Sequence, residues 1–296
     1  MCTLDINRIC AVIITYNPDN RLLDLIEKIK TQVDKIIIVD NNSINEHLLT
    51  VKGLEKSEEI VFIYNDENVG IGKALNQGIR VAINMGYDWA ITFDQDSVPF
   101  DDIIHTIHEV FSEYEHKKRI GAIGVNYIYR NSVNNYSIDD SVSYFIKDSL
   151  ITSGCLLSLN CFLLIRGFRE DLFIDHVDEE YSLRLKNQGK VSLITNKPGM
   201  IHECGTPITR NLLGITFAST NHNELRRYYM ARNQVILGRE YFFKYPCFVI
   251  KSCLLFFYEV IEMIILDSSK IGKIKATNKG IWHGLFYLRK NRRYYE

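Results

Sequence analysis

Paired cysteines are missing from this chain. Its seven cysteines (Cys2, Cys10, Cys155, Cys161, Cys204, Cys247 and Cys253) are odd in number and nowhere show C-x-x-C spacing. Neither a zinc cluster nor a disulfide framework is indicated, and a reduced cytosolic chain is the simplest expectation. No charged-then-apolar leader opens the sequence, so no signal peptide is expected. Strong net charge is also lacking: 35 Lys and Arg stand against 36 Asp and Glu, a balance of −1, and no nucleic-acid partner is expected. The longest apolar stretch, 247–266, is interrupted by Lys251, Glu259 and Glu262, which argues against a membrane-spanning helix.

What is present suits one large α/β domain with a smaller appendage, at 296 residues and 46% apolar content. Ile9 to Ile14 is a near-continuous apolar run, as a strand buried on both faces should be. It ends in Thr15-Tyr16-Asn17-Pro18, after which Asp19 or Asn20 can cap a helix bearing Leu22, Ile26, Ile29 and Val33 on one face. Lys35 to Val39 and Ile60 to Tyr64 repeat the pattern, ending in Asp40-Asn41-Asn42-Ser43 and Asn65-Asp66-Glu67-Asn68. A helix follows from the Gly70 turn to about Met85, and Trp89 opens a fourth strand. Such alternation predicts a parallel, doubly wound sheet. Right-handed crossovers would set the polar strand ends side by side, making a nucleotide-sized crevice lined by Thr15, Asn17, Asp40, Asn68 and Asp94. Gly70-x-Gly72 begins like a dinucleotide fingerprint, but Leu75 occupies the place of its third glycine. A tight helix start explains the two glycines better.

The fourth strand ends abruptly in Asp94-Gln95-Asp96-Ser97. In extended chain, residues two apart point the same way, so the two carboxylates could converge on one hard cation, Mg²⁺ or Mn²⁺. The plainer alternative is a polar turn. Downstream, Ile103 to Tyr114 suggests a helix, Ile120 to Ile128 a strand, Asn131 to Ser143 a surface loop and Leu150 to Leu157 a strand. That last strand contains Ser153-Gly154, which suggests close backbone approach or a bulge. Asp175, Asp178, Glu179 and Glu180 then precede a helical pattern of Val177, Tyr181 and Leu185. Carboxylates there can cap the helix, or, against an apolar wall, act as general base. His202, after a strand from Val191 to Thr195, is either a packing histidine or a metal ligand.

These pieces, in this order, resemble the family 2 inverting glycosyltransferases of GT-A fold, and more narrowly the bacterial rhamnosyltransferases that use dTDP-L-rhamnose. The matching stretches are Thr15-Tyr16-Asn17-Pro18, Asp40-Asn41-Asn42-Ser43, Asn68-x-Gly70-x-Gly72-x-Ala74-x-Asn76-x-Gly78 and Asp94-Gln95-Asp96-Ser97. Ser153-Gly154, the acidic segment 175–180 and Arg226-Arg227-Tyr228-Tyr229-x-x-Arg232-Asn233 continue the series. The resemblance implies a mixed, mainly parallel sheet flanked by helices. It also implies a donor pocket of Thr15, Tyr16, Asn17, Asp40, Asn68, Gly70, Asp94 and Gln95, with Ser153, Gly154 and Arg232 toward the acceptor. Asp94 and Asp96, with His202 as a third candidate, would hold Mg²⁺ or Mn²⁺, and Asp178 or Asp175 would serve as base. The family's Glu-Asp pair at the acceptor-side helix is here Val177-Asp178, so its Glu is absent. A UDP-hexose donor is the alternative within the class; a nucleotidyltransferase and a non-catalytic nucleotide-binding protein are the alternatives outside it.

The expected organisation is a catalytic domain over 1–238, with a donor half to about residue 100 and an acceptor half beyond it, followed by a helical extension over 239–296. From Asp267 onward, Lys270, Lys273, Lys275, Lys279, Arg289, Lys290, Arg292 and Arg293 outnumber Asp267 and Glu296, a net +6 that leaves −7 on the rest and suggests an anionic partner for the tail, membrane or polyanion. In 247–266 the four polar residues Lys251, Ser252, Glu259 and Glu262 fall in an arc of roughly 100°. The apolar remainder suggests either a core helix or one lying at a membrane surface; a lipid-linked glycan acceptor at the inner face of the cell membrane is what the resemblance implies.

Overall fold

The computed structural model describes residues 4–5, 8–44, 57–129, 142–202, 208–212 and 214–288. The expected loop over 131–141, the residues 203–205 beside His202, and Arg289, Lys290, Arg292 and Arg293 lie outside the described residues. Two compact units divide the chain: residues 1–171 with 177–203, and residues 172–176 with 204–296.

In the first unit, buried isoleucine and valine runs form β1 (Cys10–Thr15), β2 (Lys35–Asp40), β3 (Ile60–Tyr64) and β4 (Trp89–Asp94). They lie in the order β3-β2-β1-β4, all parallel. The pleat sorts their side chains onto two faces. Ile9, Ala11, Ile13, Ile36, Ile38, Ile91 and Phe93 join one core with Leu22, Leu25, Ile26 and Ile29 of helix α1 (Arg21–Ile29). Val12 and Val39 meet helix α2 (Ile71–Asn84), closely enough that a Cβ at Gly78 would lie 2.5 Å from Val12. Helices thus cover both faces, as buried parallel strands require. Each fully buried Ile or Leu side chain contributes roughly 1.5–3 kcal/mol relative to exposure.

The sheet continues through β5 (Val98–Pro99), β6 (Ile120–Tyr129), β7 (Tyr144–Lys147), β8 (Cys155–Ser158) and β9 (Val191–His202). β8 runs antiparallel between β4 and β6, β9 lies parallel to β6, and β5 and β7 pair antiparallel with β9. Helix α3 (Ile103–Glu113) packs its Ile103, Ile107, Val110 and Phe111 into the core described above. Helices α4 (Leu159–Ile165) and α5 (Val177–Asn187) complete the unit, α5 burying Val177, Tyr181 and Leu185 as its spacing predicts.

The second unit holds the hairpin of β10 (Ile208–Leu212) and β11 (Ile215–Ser219) and the helices α6 (Glu224–Tyr241), α7 (Pro246–Leu266) and α8 (Lys270–Leu285). None of the described helices is long and apolar enough to cross a membrane.

Residue 238 lies within α6, and α6 and α8 pack at backbone contact: a Cβ on Gly280 would lie 2.3 Å from the Tyr228 carbonyl oxygen. Two strand expectations change. The strand expected from Leu150 begins only at Cys155, since Gly154 turns left-handed at φ +65° and interrupts any extended run. His202 ends β9 rather than following a shorter strand, as β9 continues to pair with β6 through Tyr129 opposite His202. Asn20 makes no side-chain cap on α1. Asp19 instead accepts the Arg21 N–H at 3.0 Å and its guanidinium at 2.7 Å.

Gly280→Ala is expected to destabilise the protein by about 1–3 kcal/mol through overpacking. Thermal denaturation checks this against Asn278→Ala on the exposed side of α8, which should leave the midpoint unchanged.

Candidate active site

The carboxyl ends of the parallel strands are joined by polar side chains. Thr15, the last residue of β1, is fully buried, and its hydroxyl donates to Asp40 Oδ1 at 2.8 Å. The Ser43 hydroxyl donates to the same oxygen at 2.5 Å, and the Ser43 N–H to Oδ2 at 2.8 Å. Asn17 enters through its N–H on Ser43 Oγ at 2.7 Å, while its side-chain oxygen accepts the Ile44 N–H at 2.9 Å. Asp40 thus pins the loops after β1 and β2 to one another. A buried carboxylate is tolerable only with donors of this kind.

Asn41 extends the network, although its sequence position predicted no role for it. Its side-chain oxygen accepts the Val69 N–H at 3.2 Å and the Asn65 amide at 3.0 Å. Its amide donates to Asn68 Oδ1 at 3.2 Å, and that oxygen also takes the Gly70 N–H at 3.0 Å. Gly70 precedes α2 at φ +84°, a backbone that favours glycine. Asn68 and Gly70 therefore shape the start of α2 at the crevice edge.

The turn after β4 closes the opposite side. Ile14 faces Asp94 in the β1–β4 register, and Gln95 clasps the Tyr16 backbone, accepting its N–H at 2.7 Å and donating to its carbonyl at 3.2 Å. The Tyr16 ring itself is 49% exposed. Thr15, Tyr16, Asn17, Asp40, Asn68, Gly70, Asp94 and Gln95 are thereby brought to one sheet edge.

Asp94 to Ser97 is a turn, closed by the Ser97 N–H on the Asp94 carbonyl at 3.2 Å. The extended-chain alternation expected to align Asp94 with Asp96 does not apply there. Ser153 braces the turn from beneath: it is buried, shares a hydrogen bond with the Ser97 hydroxyl, and accepts the Asp94 N–H at 3.3 Å. A Cβ at Gly154 would lie 2.7 Å from Val125 and 2.8 Å from the Met200 sulfur. Ser153, expected toward an acceptor with Gly154, supports the acidic turn.

Both carboxylates are half-buried, and hard oxygen donors of this sort suit Mg²⁺ or Mn²⁺ whose remaining ligands come from phosphate or water. No group of three His, Cys, Asp or Glu forms a metal-holding cluster among the described residues. His202 ends β9, where its ring meets Tyr127 edge-on, with centroids 5.3 Å apart.

Asp178 belongs to the same unit and stands half-buried in the first turn of α5, where its Oδ1 accepts the Glu179 N–H at 3.0 Å. The helix start is locked by fully buried Glu180, which takes Arg184 at 2.8 Å and lies 3.8 Å from the equally buried Arg169. Arg169 is in turn forked by Asp171 at 2.6 and 3.0 Å. Mutual pairing offsets the several-kcal/mol cost of burying such charges. Burial first, and then the negative charge of Asp178, push the Cys155 thiol well above its ordinary range. Asp178 is thus within electrostatic reach of β8, next to the serine and glycine under the acidic turn.

Asp175 belongs to the second unit. Arg226 forks it, with Nη2 at 2.9 Å and Nε at 3.2 Å from its oxygens. Its backbone is left-handed at φ +62°, as are Phe173 and His176, an arrangement costing of order 1 kcal/mol per non-glycine residue. The buried Asn233 amide holds that strained run by donating to the carbonyls of Leu172, Ile174 and Asp175 at 2.8–3.0 Å. Arg232, expected near an acceptor, donates to the Leu172 carbonyl at 3.2 Å and to Asn233 Oδ1, and sits 4.7 Å from the Tyr229 ring. It serves the same brace.

Residues 10–175 match Glycosyl transferase family 2. The dTDP-rhamnosyl transferase RfbF of Shigella flexneri is 31% identical over 250 residues, which are 79% of this chain and 81% of that protein. A poly-beta-1,6-N-acetyl-D-glucosamine synthase of Staphylococcus aureus is 25% identical over 155 residues, 51% of this chain and 35% of that protein. Among solved structures, the mannosyltransferase PcManGT from Pyrobaculum calidifontis, in complex with GDP-Man and Mn²⁺, gives a TM-score of 0.59 at 13% identity, covering 95% of this chain and 76% of that one. S. aureus TarS 1–349 in complex with UDP gives 0.51 at 13% identity, covering 96% and 73%. These likenesses show a shared GT-A-like fold.

Asp40→Ala is expected to destabilise the protein by about 2–4 kcal/mol, because two hydroxyls and one backbone N–H lose their buried acceptor. Thr15→Val, which removes a single donor, should cost about 1 kcal/mol. Chemical denaturation of the two variants beside the parent chain checks the order.

Proposed function

We propose that this chain, which belongs to glycosyl transferase family 2, transfers L-rhamnose from dTDP-L-rhamnose to a growing, lipid-linked surface polysaccharide, inverting the anomeric centre. The observation that carries the reading is the convergence of polar loops at one sheet edge, where Asp40 and Asn41 join three strand ends and Gln95 ties in a fourth. The identity with the Shigella rhamnosyl transferase over most of both chains supports the choice of sugar. We place the acceptor at the inner face of the cell membrane.

The chemistry follows from what each group can do. A sugar hydroxyl is a weak nucleophile, so Asp178 takes its proton as the oxygen attacks the anomeric carbon. The bond from that carbon to the diphosphate oxygen breaks as the new one forms, and its electron pair leaves with the nucleoside diphosphate. Attack opposite the leaving group inverts the centre. Asp94 and Asp96 would hold Mg²⁺ or Mn²⁺, which would supply positive charge to offset the negative charge that grows on the leaving group. The exposed Tyr16 ring and the Asn17 and Asn68 loops flank the nucleoside. Asp175 is set aside as base because both its oxygens already accept bonds from Arg226.

A panel of dTDP-, UDP- and GDP-sugars tests the reading, with transfer and donor hydrolysis both measured. Turnover confined to dTDP-L-rhamnose is expected. Preference for a UDP-hexose would replace the sugar but keep the reaction, and no turnover of any donor with either cation would remove the enzyme. Asp96→Ala should abolish cation-dependent donor binding by calorimetry. Asp178→Asn should retain donor binding while transfer falls about 10²–10⁴-fold. The same phenotype from Asp175→Asn instead would move the base.

A further inference from the structure

Helix α7 is amphipathic the wrong way round for water. Two of its four polar residues face inward: Ser252 donates to Gln234 of α6 at 2.8 Å, and buried Glu262 accepts the Ala218 N–H of β11 at 2.9 Å. Its apolar arc faces out, with Ile250, Leu254 and Phe257 exposed by 50%, 65% and 64%. Helix α8 repeats the feature, for Ile271, Trp282 and Phe286 stand exposed along one stripe while Gly280 and Gly284 face α6. Large apolar side chains exposed in this number on two neighbouring helices mark an interaction surface.

The charges identify what covers it. From residue 242 to 288 every exposed charged side chain is a lysine: Lys244, Lys251, Lys270, Lys275 and Lys279. Of the three carboxylates in the same stretch, Glu262 is turned onto the hairpin and Asp267 onto Ser219, Lys273 and Arg227, while Glu259 is half-buried. A second copy packed symmetrically on this face would bring the same lysines against one another. An anionic lipid surface accepts both features at once, since acyl chains take the apolar arc and headgroups the ammonium groups. Tryptophan and phenylalanine beside lysine are also the residues suited to that boundary.

We propose that the outward faces of α7 and α8 dock this chain in the plane of an anionic bilayer, lying on it rather than spanning it. The proposal extends the reading of a membrane-held acceptor, but lipid binding is measured without donor or acceptor, so its failure and that of the transfer reaction are told apart.

The chain has two tryptophans, Trp89 buried in the core and Trp282 exposed, so emission reports the docking face directly. The full chain should sediment with phosphatidylcholine vesicles containing phosphatidylglycerol and far less with phosphatidylcholine alone. Its emission should shift to the blue on binding, and Trp282→Phe should abolish the shift. The double variant Leu254→Glu, Phe257→Glu should lower partitioning about tenfold or more with unchanged circular dichroism. Absence of sedimentation, or binding with unshifted emission, would overturn insertion of this face. So would a dimer in solution that the double variant dissolves, since the second copy would then be the occupant.

Discussion

A single buried carboxylate holds the crevice together. Asp40 lies at the end of β2 with almost no exposure, and its oxygens take the hydroxyls of Thr15 and Ser43 and the N–H of Ser43. In such a place an unmade hydrogen bond costs more than a made one gains, so the loops after β1 and β2 cannot shift independently. The next residue, Asn41, passes the constraint to the loop before α2, and Gln95 passes the Tyr16 backbone to the turn after β4. A pocket built from four separate loops behaves as one object because each is bonded to its neighbour.

The same rule governs the other buried charges. Glu180 sits between Arg169 and Arg184 at the start of α5, and in the second unit Asp267 meets Lys273 and Arg227. Pairing of this kind makes burial tolerable and fixes geometry. In the acidic segment, Glu180 and Asp175 accept from guanidinium partners, and Asp178 accepts the Glu179 N–H of its own helix. Proximity in sequence gave no means of making that distinction, since all these residues are carboxylates near one helix start.

Much of the fold was legible. Apolar runs of five or six residues ending in polar clusters located β1 to β4 and their shared edge, and spacing located the buried faces of α1, α3 and α5. Motif order pointed to the residues that the loops bring together at one sheet edge. Less legible were features set by contact. The turn at Asp94–Ser97 broke the alternation on which the pairing of its carboxylates was argued, Ser153 became its support, and His202 was absorbed into a strand by pairing with Tyr129. Asn233 was visible only as part of a motif; that one amide would hold three carbonyls of a left-handed run depends on folding.

Pattern alone determined that the first strands are buried on both faces, that they run parallel with their polar ends together, and that 247–266 is an amphipathic helix, because these follow from side-chain period and polarity along the chain. Which way that helix turns its faces was decided only in the tertiary structure. Glu262 and Ser252 found partners on β11 and α6, and a buried polar group with partners is stable where one without them is not. Satisfying these two residues inward left the apolar arc outside, a result no count of residues around a helix can supply.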